Sequence, residues 1–240
     1  MSERQSIKQP GSFAEQGGRT EVDEDMNAAD HRHANKPFDV VTWNVMGLTT
    51  VGEELKSIVL DREPDVVVLT ETKLLEETHN RAWVKGTLLN MYTIYGSSIR
   101  ATDSRRYNNA QGQCRDRARR MGSGGVLMAI HQRWMNGTTI MRHVYENCSG
   151  HLIGIDLKAL DSPPIRLIGV YMPHDMPRRK EMYAALSSKV QEDMFKIVGG
   201  DWNAALLPGD RADQSALHHT CMDDHHKEFV QGCKLSPLHS

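Results

Sequence analysis

The sequence predicts an α/β domain in which strands outnumber helices. Three observations support this prediction: short apolar runs rich in β-branched residues recur along the chain, several end in glycine or polar residues, and few segments show apolar residues at helical spacing. The chain has 240 residues, 39% hydrophobic and 25% charged, which suffices for one sizeable core. Residues 1–36 are polar and without apolar periodicity, so we expect a disordered tail followed by a folded domain over 37–240.

The expected elements follow from local pattern and from the residues that end each run. Strands are predicted where β-branched and apolar residues cluster, namely over 38–43, 66–69, 92–95, 125–130, 151–157, 165–171 and the run before Gly199. Helices are predicted where apolar residues recur on one face, namely over 52–60, 178–190 and 223–231. Pro64 prevents the first helix from continuing into the next strand.

Composition gives little information about a partner, except in one segment. The 29 Lys and Arg against 31 Asp and Glu leave a net charge of −2, so any attraction to nucleic acid must be local. The stretch 98–120 holds seven Arg and two Asp, a net charge of +5. It is interpreted either as a basic insertion that neutralises DNA phosphates or as a solvated loop without that role.

Cysteine spacing and hydropathy indicate the kind of compartment. The four cysteines are widely spaced and form no C-x-x-C pair, which argues against a disulfide framework and a zinc knuckle. The histidine-rich stretch 218–226 is interpreted as a polar helix start, with no metal assigned. No apolar run approaches the ~18 residues of a membrane span. We expect an intracellular protein with no membrane association, and no protein partner can be inferred.

Polar side chains stand where three predicted strands end. Asn44 lies in VVTWNVMGL, Glu71 in VVVLTETKL, and Asp201 with Asn203 in KIVGGDWNAAL. Taken singly, each is better explained as a turn or strand-end residue, but together they predict a site. Glu71 with Asn44 would suit Mg²⁺, while Asp201 could act as general base on a water that Asn203 orients. Tyr171, in IGVYMPHD, ends a fourth strand.

Five blocks in this order carry a resemblance to a known family: VVTWNVMGL, VVVLTETKL, GSGGVLMAI, IGVYMPHD and IVGGDWNAAL. Over roughly residues 38–238 the chain resembles the endonuclease/exonuclease/phosphatase superfamily. Within it, the chain is most similar to the apurinic-type endonucleases of exonuclease III and of non-LTR (LINE-type) retrotransposons. The resemblance implies a two-sheet α/β sandwich flanked by helices, with a metal-dependent phosphodiester cleft at the strand ends.

The resemblance also implies a role for each matched residue. Asn44 and Glu71 correspond to metal-site residues, Tyr171 to the tyrosine that contacts the phosphate, and Asp201 and Asn203 to the water-activating pair. The implied cofactor is Mg²⁺, with Mn²⁺ as a substitute. The implied substrate is DNA, nicked to leave a 3′-hydroxyl, and the expected location is the nucleus.

Arg178, Arg179 and His174 follow the tyrosine block, and we expect them to contact the substrate. His174 stands where the family usually has Asn. The terminal Ser-Asp-His block of the family has no counterpart here, so the final strands are expected to be missing and the chain nearly inactive. Two alternatives therefore stay open: a catalytically inactive remnant of such a domain, and a phosphatase or ribonuclease that acts on another phosphoester.

Overall fold

The computed structural model describes the residues in the ranges 37–74, 81–98, 124–143, 145, 148–159, 163–190, 193–204 and 221–236, with the backbone alone at 221–223. The chain divides into two units, Met1–Phe38 and Asp39–Ser240, and the architecture that follows belongs to the second. The predicted tail over 1–36 and residues 99–120 of the basic stretch lie outside the described residues.

The described part of this second unit contains eight strands and four α-helices. In chain order they are β1 (Val40–Asn44), α1 (Gly52–Arg62), β2 (Val66–Thr70), α2 (Ala82–Thr87), β3 (Tyr92–Ser97), β4 (Val126–His131), β5 (Thr138–His143), β6 (Leu152–Ala159), β7 (Ile165–Tyr171), α3 (Met176–Val190), β8 (Phe195–Asp201) and α4 (Cys221–Gly232). A 3₁₀ turn, Gln132–Trp134, follows β4. None of the described helices is long and apolar enough to cross a membrane.

The eight strands of the described residues form two four-stranded sheets, so the predicted two-sheet α/β fold is confirmed. The first sheet has the order β1-β2-β4-β3 and the second has the order β5-β6-β7-β8. The pairs β1–β2 and β7–β8 are parallel, whereas all other neighbours are antiparallel. Helices α1 and α3 make the two parallel crossovers. Each crossover places two carboxyl strand ends side by side, and these ends carry the predicted site residues.

The core lies between the sheets and beneath the helices on their outer faces. Strand β2 is buried along its whole length, as its uninterrupted apolar run predicts. The sheets approach closely at Gly169, where an added Cβ would lie 3.1 Å from Cγ1 of Val68 in the other sheet. Outside, Leu55 of α1 packs over the first sheet and Leu186 of α3 over the second, each fully buried. Such burial contributes ~1.5–3 kcal/mol per side chain.

All seven predicted strands and all three predicted helices are present, with ends that differ by a few residues. Strand β5 and helix α2 were not predicted. The sequence of β5, TTIMRH, does not separate apolar from polar positions, and α2 has six residues, too few for a periodic signal. Helix α3 begins at Met176, two residues before the predicted start.

Candidate active site

Asn44 joins the two sheets at their carboxyl edges. Its side-chain Nδ2 donates to Oε1 of Glu71 at 3.1 Å and to Oδ2 of Asp201 at 2.7 Å. Glu71 follows β2 in the first sheet, whereas Asp201 ends β8 in the second. The structure thus brings together three residues that the sequence placed at separate strand ends.

The loop that carries Glu71 is held against a pair of glycines. Thr72 N donates to the carbonyl of Gly125 at 3.2 Å, and Lys73 N donates to that of Gly124 at 2.8 Å. Gly125 has φ +95°, and an added Cβ would lie 2.5 Å from Oγ1 of Thr72. The block GSGGVLMAI therefore contributes a close backbone approach that orients Glu71, which itself has φ +52°.

A second glycine position aims the carboxylate of Asp201. Gly200 has φ +139°, and an added Cβ would lie 2.0 Å from the carbonyl oxygen of Val170 on the neighbouring strand. Beyond it, Asn203 N donates to Oδ1 of Asp201 at 2.9 Å, and Asn203 Nδ2 donates to the carbonyl of Met172 at 2.6 Å. Both oxygens of Asp201 therefore accept a hydrogen bond, and its orientation is determined by groups from three strand ends.

Tyr171 ends β7 directly beside Asp201, and a histidine that the sequence did not indicate supports it. His151 Nδ1 donates to the carbonyl oxygen of Tyr171 at 2.8 Å, and the two rings stack with centroids 5.5 Å apart. Burial lowers the pKa of His151 to about 4, so the ring is neutral near pH 7. In the sequence, His151 is a single polar residue before an apolar strand, and this pattern is too common to indicate a functional residue.

The prediction that Arg179 contacts DNA is wrong in this structure, because the side chain is fully buried. Its guanidinium donates to the carbonyls of Pro173 at 3.0 Å and Trp202 at 3.1 and 3.2 Å, and to the hydroxyl of Tyr183 at 3.2 Å. Arg179 precedes the buried residues Met182 and Tyr183 by three and four positions, so it lies on the inward face of α3. It links the loop after Tyr171 to the segment between Asp201 and Asn203.

Arg178 and His174 remain predicted substrate contacts. His174 is exposed, and Arg178 is half-buried, with its backbone N–H bonded to Oδ2 of Asp175 at 3.1 Å. Burial is the main cause of the lowered pKa of His151, and the charge of Arg178 lowers it further.

Lys73 is a further basic residue at the site. Its Nζ donates to the carbonyl of Met46 at 2.9 Å. It directly follows Glu71-Thr72 in the sequence, and that proximity is the signal by which it could have been found.

The donor set fits a hard cation such as Mg²⁺ at Glu71. Among the described residues, no ion pair neutralises Glu71 or Asp201, although both carboxylates converge on one amide nitrogen. No group of three or more His, Cys, Asp or Glu suited to a metal is found in the described part of the chain. Mg²⁺ commonly uses one or two carboxylates and keeps several waters, so this sparse set suffices. In its present orientation Asn44 presents Nδ2 to the carboxylates, and Oδ1 accepts from Met46 N at 3.1 Å.

Comparisons with solved structures report the same fold. AP endonuclease LMAP from Leishmania major superposes with a TM-score of 0.59 at 17% identity, over 82% of this chain and 65% of that one. The 3′ phosphatase NExo from Neisseria, bound to a product DNA hairpin, gives 0.57 at 16%, over 81% and 71%. The endonuclease domain of TRAS1, a telomere-specific non-LTR retrotransposon, gives 0.50 at 14%, over 82% and 73%. The chain thus spans less than two thirds of the LMAP structure.

A search of curated protein sequences finds no match. The model of the endonuclease/exonuclease/phosphatase family, in contrast, matches residues 41–224, a range that includes the converging residues Asn44, Glu71, Tyr171, Asp201 and Asn203. With more than half of its length matched, and with two sheets whose carboxyl edges meet at these residues, the chain belongs to the endonuclease/exonuclease/phosphatase family.

Proposed function

We propose that the chain is a Mg²⁺-dependent phosphodiesterase that nicks DNA and leaves a 3′-hydroxyl and a 5′-phosphate. The observation that supports the proposal most directly is the junction at Asn44, where the carboxylates of Glu71 and Asp201 share one donor. Tyr171, level with Asp201 in the β7–β8 register, adds a phenol at the same edge. A carboxylate base beside a cation site is suited to phosphoester hydrolysis.

Each side chain has a stated task in this proposal. Asp201 accepts a proton from the water whose oxygen attacks phosphorus, while the bond from phosphorus to the 3′-oxygen breaks and the departing 3′-oxygen takes a proton from solvent to become the 3′-hydroxyl. Asn44 and the backbone N–H of Asn203 hold Asp201 in place for that transfer. The hydroxyl of Tyr171 donates to a phosphate oxygen. Mg²⁺ held by Glu71, with Mn²⁺ as a substitute, would neutralise charge on the phosphoryl group.

DNA is the proposed substrate for two reasons. The five ordered sequence blocks have the form seen in the apurinic-type endonucleases, and one structural neighbour was solved with a product DNA hairpin. Arg178 and His174, near the Tyr171 end of the site, would meet the phosphate backbone on one side. Because DNA is the proposed substrate, the proposed location of the enzyme in a nucleated cell is the nucleus.

The decisive experiment measures nicking of supercoiled plasmid by the full chain. Nicking should require Mg²⁺ or Mn²⁺ and stop in EDTA, and Asp201→Asn should lower the rate by roughly 10²-fold or more. Glu71→Gln should weaken Mg²⁺ binding in calorimetry, since it loses the charge but keeps the shape. Asp61→Asn and Glu53→Gln, exposed carboxylates of α1, are the matched controls and should retain the wild-type rate.

The alternatives predict different results in the same assay series. Release of phosphate from a 3′-phosphorylated duplex without plasmid nicking would favour a phosphatase. A folded chain that shows no Asp201-dependent rate on plasmid, RNA or the 3′-phosphorylated duplex would identify an inactive remnant. Either outcome would reject the proposed endonuclease.

A further inference from the structure

Met46 is an apolar side chain held out into solvent next to the candidate site. It is 70% exposed, the highest fraction among the large apolar side chains of the described residues. It stands two residues after Asn44, whose amide contacts both carboxylates. Its neighbours in sequence, Val45 and Gly47, are buried.

Four hydrogen bonds hold the backbone of this turn. Met46 N donates to Oδ1 of Asn44 at 3.1 Å, and its carbonyl accepts from Nζ of Lys73 at 2.9 Å. On either side, Val45 N donates to a carbonyl of β2 at 3.0 Å, and Leu48 N donates to the carbonyl of Thr72 at 3.2 Å. The backbone is therefore anchored on both flanks while the side chain stays exposed.

The backbone conformation of Met46 is costly for its residue type. Its φ is +47°, in the left-handed region that glycine or asparagine adopts more readily. Such positions cost on the order of 1–3 kcal/mol and cluster at functional sites. Three further residues of the same loops share this conformation: Glu71, Lys73 and Asn203. The exposed side chain of Met46 thus stands at a strained and anchored position beside the candidate site.

We propose that Met46 packs against the base of the nucleotide next to the phosphate held at Glu71 and Asp201, partly unstacking it. This inference rests on the proposed function and extends it to the contact that positions the strand. Nucleic acid presents apolar base faces alternating with phosphates, and Met46 lies beside the ammonium of Lys73, which has further N–H donors. Methionine side chains serve as wedges between base steps and make favourable contacts with aromatic rings. Because hydrogen bonds already hold the backbone of the turn, little of its conformational entropy is lost on binding.

The test measures binding, so it does not depend on turnover. The probe is a 30-base-pair duplex with 2-aminopurine in place of adenine, added with Mg²⁺ to the full chain carrying Asp201→Asn. Anisotropy reports affinity, and 2-aminopurine fluorescence rises when a base is unstacked. In this background, Met46→Ala should weaken binding roughly tenfold, as expected for the loss of one buried apolar side chain, and should reduce the fluorescence rise.

Three further variants separate base packing from effects on the loop. Met46→Leu keeps the apolar area and should keep the affinity. Met46→Asn tolerates the left-handed backbone but removes the apolar contact, so it should bind as weakly as Met46→Ala. Met141→Ala removes an equally flexible, 54% exposed side chain from β5, at the far edge of the second sheet, and should change nothing.

The outcomes separate the role of Met46 from the proposed function of the chain. Suppose that the wild-type chain nicks plasmid and that the Asp201→Asn chain binds the duplex equally well with and without Met46→Ala. This result would overturn the role of Met46 and leave the proposed function intact. A loss in Met46→Ala that Met46→Asn restores would also overturn it, since relief of backbone strain would then explain the effect. If the chain neither nicks plasmid nor binds the duplex, the proposed function fails and this inference fails with it.

Discussion

The amide nitrogen of Asn44 donates to carboxylates of both sheets at once, 3.1 Å from Oε1 of Glu71 and 2.7 Å from Oδ2 of Asp201. One neutral side chain therefore separates two acids that would otherwise repel each other at a half-buried edge. Oδ1 of Asn44 also accepts a hydrogen bond from the backbone N–H of Met46, so the orientation of the Asn44 amide is itself fixed.

Asn44→Asp should destabilise the metal-free chain, because it replaces two donated hydrogen bonds with a third carboxylate. The expected loss is roughly 1–3 kcal/mol of unfolding free energy in EDTA, and Mg²⁺ should recover part of it. Thermal unfolding in EDTA and in Mg²⁺ measures both effects. Asn90→Asp, in an exposed turn, is the matched control. An equal change in both variants would remove Asn44 from the centre of the site.

Arg179→Met should lower kcat for nicking more than it raises KM. The variant keeps much of the buried volume but leaves the carbonyls of Pro173 and Trp202 without their donor, so Asp201 and Asn203 lose their alignment. Arg179→Lys should be nearly as slow, because one ammonium cannot reproduce the planar fork. Arg62→Lys, at a 55% exposed side chain on α1, is the control. A fall in stability with unchanged kcat would limit Arg179 to a scaffolding role.

Stability should fall as the pH drops from about 6.5 towards 4, because His151 must be neutral in the folded state. Burial lowers its pKa from 6.5 to about 4, so over this range the unfolded chain binds more protons than the folded chain. At pH 5 the loss attributable to this group is about 2 kcal/mol. Urea unfolding of His151→Gln between pH 7 and pH 5 should show a smaller decrease. His174→Gln, at an exposed histidine, should follow the wild type.

Gly200→Ala should be among the most damaging small substitutions in the chain. The added methyl would lie 2.0 Å from the carbonyl oxygen of Val170 at φ +139°, so β7 and β8 would have to separate just before Asp201. We expect a loss above ~3 kcal/mol, or failure to fold. Gly86→Ala, in helix α2 with no atom within 4 Å of the new methyl, should be neutral or stabilising by about 0.5–1 kcal/mol. Equal melting temperatures for the two variants would contradict this account of the backbone.

The strands and the identity of the candidate acids could be predicted from local pattern. The apolar run in Val66–Thr70 is typical of a strand buried on both faces, and the structure places it in β2. Strand β7, Ile165–Tyr171, has its predicted bounds. Glu71 and Asp201 stand out as polar residues at the ends of such runs, so the sequence alone suffices to select them. Helix ends were less well predicted, because apolar periodicity says little about the first turn.

The contacts among these residues depend on the packing of the two sheets. Asn44 and Asp201 are 157 residues apart, and no local pattern reports that their side chains lie 2.7 Å from each other. Arg179 shows the same limit: its charge suggests a surface position, but it lies on the buried face of α3, where the carbonyls of two loops accept its hydrogen bonds. His151 and Met46 also acquire their surroundings from distant strands. Local sequence determines which residues end a strand, whereas the hydrogen bonds between strand ends exist only after both sheets have packed, since each bond joins groups that distant segments supply.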